Sequence, residues 1–278
     1  MPHRPRFTWL FVAIALVLVA GAVWSTRERS PVMGDAIVTP PYDELRTFAA
    51  TRIFFGHQSV GANIIAGLES TYAGSSDSTL LTVVETREPA AGESGIFAHA
   101  PVGANGDPYR KLADFTAILD GPVGSRVDVA LLKLCYADVV AGTDVEALFA
   151  AYESMLADLA IRHPDVRFLA ATVPLTTDRS WKSTLKSWLG DDDRTGPADN
   201  VARARYNALV RARFAATGDL YDIAAVEATL PESPMERRSG AATYHVLNAD
   251  LAADAGHLND LGSRLAAAEL IRLVARGG

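Results

Sequence analysis

The sequence predicts an α/β fold: a three-layer α/β/α sandwich built on a mostly parallel sheet. Strand-like and helix-like segments alternate along most of the chain. Residues 127–135 and 166–173 are continuous apolar runs, as expected of strands covered on both faces. Between them, residues 145–162 carry the apolar stripe of an amphipathic helix.

Taken in order, residues 53–56 form a short apolar run that reads as a strand, and residues 59–72 place apolar side chains at helical spacing. Residues 79–85 are β-branched and strand-like. A helix is expected over 111–119, then the buried strand 127–135, the helix 145–162 and the buried strand 166–173. The polar stretch 176–197, with Trp181, Trp188 and the acidic run Asp191 to Asp193, reads as a surface excursion. Its two tryptophans, seven apart, suit either a glycan-facing lid or packing of that excursion on the domain. A helix over 199–216, a short strand over 220–223 and a closing helix over 259–275 complete the pattern, with no internal repeat.

Ahead of this domain, residues 1–6 carry His3, Arg4 and Arg6, and residues 7–25 are almost uninterruptedly apolar. The positive flank directs the N-terminus to the cytoplasm and the rest of the chain outward. The apolar stretch reads as a transmembrane signal anchor, or as a signal peptide with Ala20-Gly21-Ala22 as its small-residue cleavage site. Residues 26–41 read as a linker and 42–278 as the functional domain, membrane-anchored outside the cytoplasm, or secreted if the segment is cleaved.

The chain has 278 residues, 49% of them apolar and 21% charged, enough to bury an ordinary core. A formal net charge of -7 argues against a nucleic-acid binder, because that surface repels a phosphate backbone. The single cysteine, Cys135, permits no intramolecular disulfide and no cysteine-rich metal site, and reads as a small buried apolar residue.

Two segments could carry chemistry. Phe54-Phe55-Gly56-His57-Gln58-Ser59-Val60-Gly61 runs from a strand through a polar turn into a helix, where ligands gather in open α/β sheets. Ser59 there is either a nucleophile near unpaired helix N–H groups or merely the helix cap. Asp254-Ala255-Gly256-His257-Leu258-Asn259 offers a carboxylate that can orient an imidazole from one turn, or a surface loop in which Asn259 or Asp260 caps the last helix.

A serine after the first strand and Asp-x-x-His before the last helix resemble the layout of the SGNH/GDSL hydrolases, over about residues 52–275. The blocks from Gly56 to Ile64 and from Asp254 to Gly262 look like the first and last blocks of a poorly characterised bacterial branch. The resemblance implies an SGNH-hydrolase-like, flavodoxin-like fold in which Ser59 attacks an ester carbonyl, His257 takes its proton and Asp254 orients His257. It also implies an oxyanion site made by a glycine N–H from a second block and an asparagine side chain from a third. Here Gly103-Ala104-Asn105-Gly106-Asp107-Pro108 offers Gly106 or Asn105. The third block reads Leu134-Cys135-Tyr136-Ala137-Asp138, with no asparagine, so either Asn105 or Tyr136 supplies the donor or the site is slow. His57 and Gln58 also separate Gly56 from Ser59, unlike the usual Gly-Asp-Ser-Leu.

His57 is expected as a substrate contact or a structural hydrogen-bonder, Asp138 and Lys133 as a buried polar network, and Asp222 as a structural residue or a rival third triad member. His163 and His245 read as incidental. Neither metal nor cofactor is expected, since Asp254, His257 and His57 lack dedicated ligand spacing. The function implied is serine esterase action on an acyl-ester substrate, with acetylated glycan as one candidate. An O-acyltransferase on envelope glycans, or a non-catalytic glycan-binding or assembly protein, are the alternatives.

Overall fold

The structure is a computed structural model, and the residues it describes are 39–75, 80–90, 95–178, 194–230 and 233–277. The expected anchor (7–25), most of the linker, and Trp181, Trp188 and Asp191 to Asp193 lie outside them. No helix among the described residues is long and apolar enough to cross a membrane.

Helix α1 (Tyr42–Ala50) leads into β1 (Ile53–His57), followed by α2 (Val60–Ala73), β2 (Thr82–Glu85) and β3 (Ile96–Pro101). Then come α3 (Pro108–Asp120), β4 (Val129–Leu132), α4 (Val145–Arg162), β5 (Arg167–Ala171), α5 (Pro197–Phe214) and β6 (Leu220–Tyr221). A short α6 (Ile223–Ala228) precedes two small antiparallel pairs, β7 with β8 (Thr229–Leu230, Ser233–Pro234) and β9 with β10 (Glu236–Ser239, Ala242–His245). Helix α7 (Asp260–Ala275) closes the domain.

Strands β1 to β6 form one sheet in the order β2-β3-β1-β4-β5-β6, all parallel. Alternation along each strand feeds two separate cores. On β1, Ile53 and Phe55 face the layer of α1, α2, α6 and α7, where Phe48, Ile64, Leu68 and Ile271 pack. Phe54 faces the other way, toward α3, α4 and α5, with Phe115, Leu148, Tyr152 and Tyr206. Each such large apolar side chain contributes roughly 1.5–3 kcal/mol through burial.

The strand order reverses at β1, which pairs with β3 on one side and β4 on the other. The carboxyl ends of these three strands therefore open together, as they do at the ligand crevice of open α/β sheets.

Three expectations change at this level. The apolar run 127–135 is only partly strand: the ladder covers β4, Lys133 N–H still reaches the Gly56 carbonyl at 3.0 Å, and the chain then tightens into a 3-10 turn at Tyr136–Asp138. Strand β3 is additional, an Ile-Phe-Ala-His-Ala-Pro segment whose first five residues are buried. Helices α1 and α6 are additional too.

Candidate active site

Ser59 stands at the junction of β1 and α2, in the N-cap position, and its side chain makes no capping hydrogen bond. The helix starts without help from that hydroxyl, so the oxygen is left for other partners. It is half-buried, with Cys135 Sγ at 3.9 Å. Gln58, one residue earlier, donates through Nε2 to the carbonyls of Val102 (2.9 Å) and Gly103 (3.1 Å), registering the Ser59 turn on the loop after β3.

The Asp254–His257 loop enters α7. Asp254 Oδ1 accepts the N–H groups of Gly256 and His257, both at 2.9 Å, and the carboxylate faces His257 Nδ1 at 2.8 and 3.0 Å. A carboxylate only accepts, so Nδ1 carries the hydrogen and Nε2 is the free basic nitrogen of the neutral ring. Partial burial works against ionisation of Asp254, but the hydrogen bonds from Gly256, the His257 ring and the His257 N–H outweigh it and hold the carboxyl below the usual carboxylate range. Asn259 caps α7 by accepting Gly262 N–H at 3.0 Å, which leaves the aspartate free of capping duty.

Ser59 and His257 share no hydrogen bond, and the segments that carry them are linked through other residues. Asn63, one turn into α2, accepts Leu258 N–H at 3.3 Å. Tyr136, adjacent to Cys135, meets the His257 ring edge-on at 6.2 Å between centroids. Tyr136 also presses on Gly256 so closely that a Cβ there would lie 2.5 Å from the ring, so only glycine lets the relay loop settle against it. Tyr136 is in turn held by Arg203, whose Nε donates to its carbonyl at 3.0 Å and whose guanidinium lies 5.6 Å from its ring centre. Burial lowers the Arg203 pKa to about 10, still protonated at neutral pH.

Asn105 and Gly106 lie on the loop after β3. Gly106 has φ +87°, and its N–H is committed to Asp138 Oδ1 at 2.8 Å. Asn105 is exposed, with its Oδ1 accepting from Lys111 Nζ at 2.9 Å. Tyr136 lines the relay side instead, where burial raises the pKa of its phenol.

His57 is buried, and a Cβ on Gly61 would overlap its ring. Its Nδ1 lies 3.2 Å from the Gln58 carbonyl and its Nε2 3.0 Å from His99 Nδ1, so His57 accepts from His99. Burial lowers the His57 pKa to about 4, and the charges of Lys133 and His99 add to this. Burial likewise lowers the pKa of His99. His57 is thus a structural hydrogen-bonder inside the β1–β3 pair. No local sequence signal pairs it with His99, whose partner is set by strand register.

Asp138 is buried in an ion pair with Lys111, whereas Lys133, also buried and with its pKa depressed by burial, donates to the neighbouring Leu134 carbonyl at 3.4 Å. Glu227 is buried apart from them: Oε2 accepts Leu175 N–H at 2.6 Å and burial raises its pKa to about 8. Asp222 is committed to Arg211 at 2.6 and 2.8 Å and to Thr172 at 3.1 Å, which removes it from competition with Asp254. His163 bonds Asp120 at 3.1 Å, at the far end of α4. Among the described residues no group of three or more His, Cys, Asp or Glu side chains is arranged to hold a metal ion.

The chain matches no protein-family model and no curated protein. Among solved structures, it is similar to a Streptococcus pneumonia protein provisionally described as a platelet activating factor, with 13% identity, TM-score 0.50, and coverage of 94% of this chain and 99% of that one. It is also similar to a provisionally described lipolytic protein of the G-D-S-L family from Desulfitobacterium hafniense, with 10% identity, TM-score 0.47, and coverage of 80% and 99%. The periplasmic domain of a lipopolysaccharide acetyltransferase from Salmonella ser. Paratyphi A matches at 16% identity, TM-score 0.42, and coverage of 79% and 81%. The fold is a three-layer α/β/α sandwich on a six-stranded parallel sheet, and the likeness to the first of these structures is one of fold.

Proposed function

We propose that this protein is a serine esterase that cleaves acyl esters, short-chain O-acyl groups above all, through Ser59, His257 and Asp254. The reading rests on one observation: a histidine with its Nδ1 committed to a carboxylate is packed, through Tyr136 and Cys135, onto the loop of a serine whose hydroxyl is not used as a cap.

In this reaction the Ser59 oxygen bonds to the ester carbonyl carbon as its proton passes to His257 Nε2, and the carbonyl π pair becomes an oxyanion. Asp254 stabilises the resulting imidazolium. The oxyanion collapses, the bond to the alkoxy oxygen breaks, and the departing alcohol takes the proton from Nε2. Water then attacks the acyl-serine with the same proton route, releasing the acid and restoring the Ser59 hydroxyl. A sugar hydroxyl in place of water would make the same chemistry a transfer.

The natural setting proposed is outside the cytoplasm, with acylated glycan as the substrate candidate, on the basis of the apolar segment 7–25 and its positive flank. Turnover of aryl acetates by the purified chain, compared with Ser59→Ala and His257→Ala, tests the assignment. Loss of turnover in both variants supports it. A wild-type chain no faster than its variants rejects the esterase, and acyl transfer to glycan acceptors or glycan binding without turnover then becomes the better account.

A further inference from the structure

We propose that the buried Lys111–Asp138 ion pair is the positioning centre of the oxyanion site, and that it selects the side-chain amide of Asn105, rather than the N–H of Gly106, as the donor offered to substrate. This rests on the esterase reading above.

Asp138 joins the two loops that flank Ser59. Its Oδ1 accepts Gly106 N–H from the loop after β3 at 2.8 Å, and its Oδ2 accepts Cys135 N–H from the turn after β4 at 2.6 Å. Lys111, from the first turns of α3, reaches Oδ2 at 2.6 Å, and both side chains are fully buried. The carboxylate thus holds three donors, one of which is the glycine N–H that would otherwise serve the oxyanion.

The second contact of Lys111 decides which way Asn105 faces. Its Nζ lies 2.9 Å from the amide oxygen of Asn105. An ammonium group only donates, so the oxygen must face it and the NH2 group must point the other way. That NH2 has no hydrogen-bond partner among the described residues, and Asn105 is exposed. Two donors are therefore presented outward from a loop whose start is bound to Gln58, the residue preceding Ser59, and whose Gly103 N–H is held by Asp114 Oδ2 at 2.9 Å. Lys111 and Asp138 act through Asn105 and are positioning residues.

The test is steady-state hydrolysis of an aryl acetate by the full chain and its variants, with folding checked by thermal melting. Asn105→Ala and Asn105→Asp should each lower kcat about a hundredfold with KM within about threefold, because a donor aimed at the oxyanion acts in the transition state. Asn105→Asp keeps an acceptor for Lys111 while it removes the NH2 and adds a negative charge, so it is read together with the uncharged Asn105→Ala. Lys111→Met should cost as much as Asn105→Ala alone, yet less than about threefold more when added to Asn105→Ala. Asn105→Asp or Asn105→Ala with kcat within threefold of the parent overturns the proposal. So does a Lys111→Met loss that multiplies in full with that of Asn105→Ala. If Lys111→Met does not fold, the two Asn105 variants decide by themselves. Absence of any Ser59-dependent turnover in the parent chain would overturn the esterase reading first, which separates the two failures.

Discussion

The two sides of the Ser59 turn are built differently. On one side the Asp254–His257 loop is local and partly exposed: one aspartate accepts two backbone N–H groups and a ring nitrogen from residues within three positions of itself. On the other side, Lys111, Asp138, Asn105, Gly106 and Cys135 come from three separated segments and meet around a fully buried carboxylate. In the proposed esterase, the first side would trade protons with substrate and so keeps its basic nitrogen near solvent. A framework that must hold loops in register gains from low dielectric surroundings, where each hydrogen bond to a charged group is strong and each missing one is costly. Mutations on the first side should therefore change rate, and mutations on the second should change rate and stability together.

The largest effect expected is on the nucleophile. Ser59→Ala should lower kcat by about 10⁴-fold or more while leaving the melting temperature nearly unchanged, because the hydroxyl makes no cap bond. A Ser59→Ala protein that retains turnover would remove the nucleophile assignment. Asp254→Asn should lower kcat by about 10²- to 10⁴-fold, since an amide NH2 here can donate to Nδ1 and hold the ring in the tautomer with its hydrogen on Nε2, again with little change in a denaturation curve. On the buried side, Asp138→Ala should cost about 3–5 kcal/mol in urea unfolding, because it strands the Lys111 ammonium without its partner. A cost below about 1 kcal/mol would erase the contrast between the two sides.

The His57–His99 pair sharpens the same comparison through pH. In the unfolded chain His57 titrates near its ordinary 6.5, whereas burial lowers its pKa to about 4 in the folded protein. The unfolded state therefore binds more protons between these values, so stability is full above about pH 6.5 and falls as pH drops toward 4, by on the order of 3 kcal/mol. His57→Gln should flatten this slope in denaturant titrations at several pH values. The smallest effect is expected at Asn259→Ala, which removes the cap of α7 at a cost of about 1 kcal/mol while leaving Asp254 on His257. A kcat unchanged within threefold there would show that the relay loop holds its own geometry.

Much of the fold was legible because the period and composition of its segments report burial directly. The run 166–173 contains β5, and 145–162 coincides with α4, since both sit in surroundings that match their hydrophobic pattern. Strand β3 was not legible: Ala98, His99 and Ala100 have little strand character, and they are extended because β1 and β2 pair with them from both sides. The small α6 and α1 were missed for lack of length or of a contrasting pattern, since their places depend on the core they cover.

Ser59 at a strand-to-helix junction and Asp254 three residues before His257 are legible in the chain alone, because they are short-range arrangements encoded within one turn. What the neighbouring polar residues bond to emerges on folding. Gly106 and Asn105 look equally able to donate in the sequence, and the difference between them comes from Asp138 and Lys111, which are respectively 32 and 6 positions away from their partners. His57 beside Ser59 looks like a site residue until His99, 42 positions on, draws it into the interior. Long-range hydrogen bonds in a buried setting are chosen by strand order and loop register, and neither is written in any local run of residues.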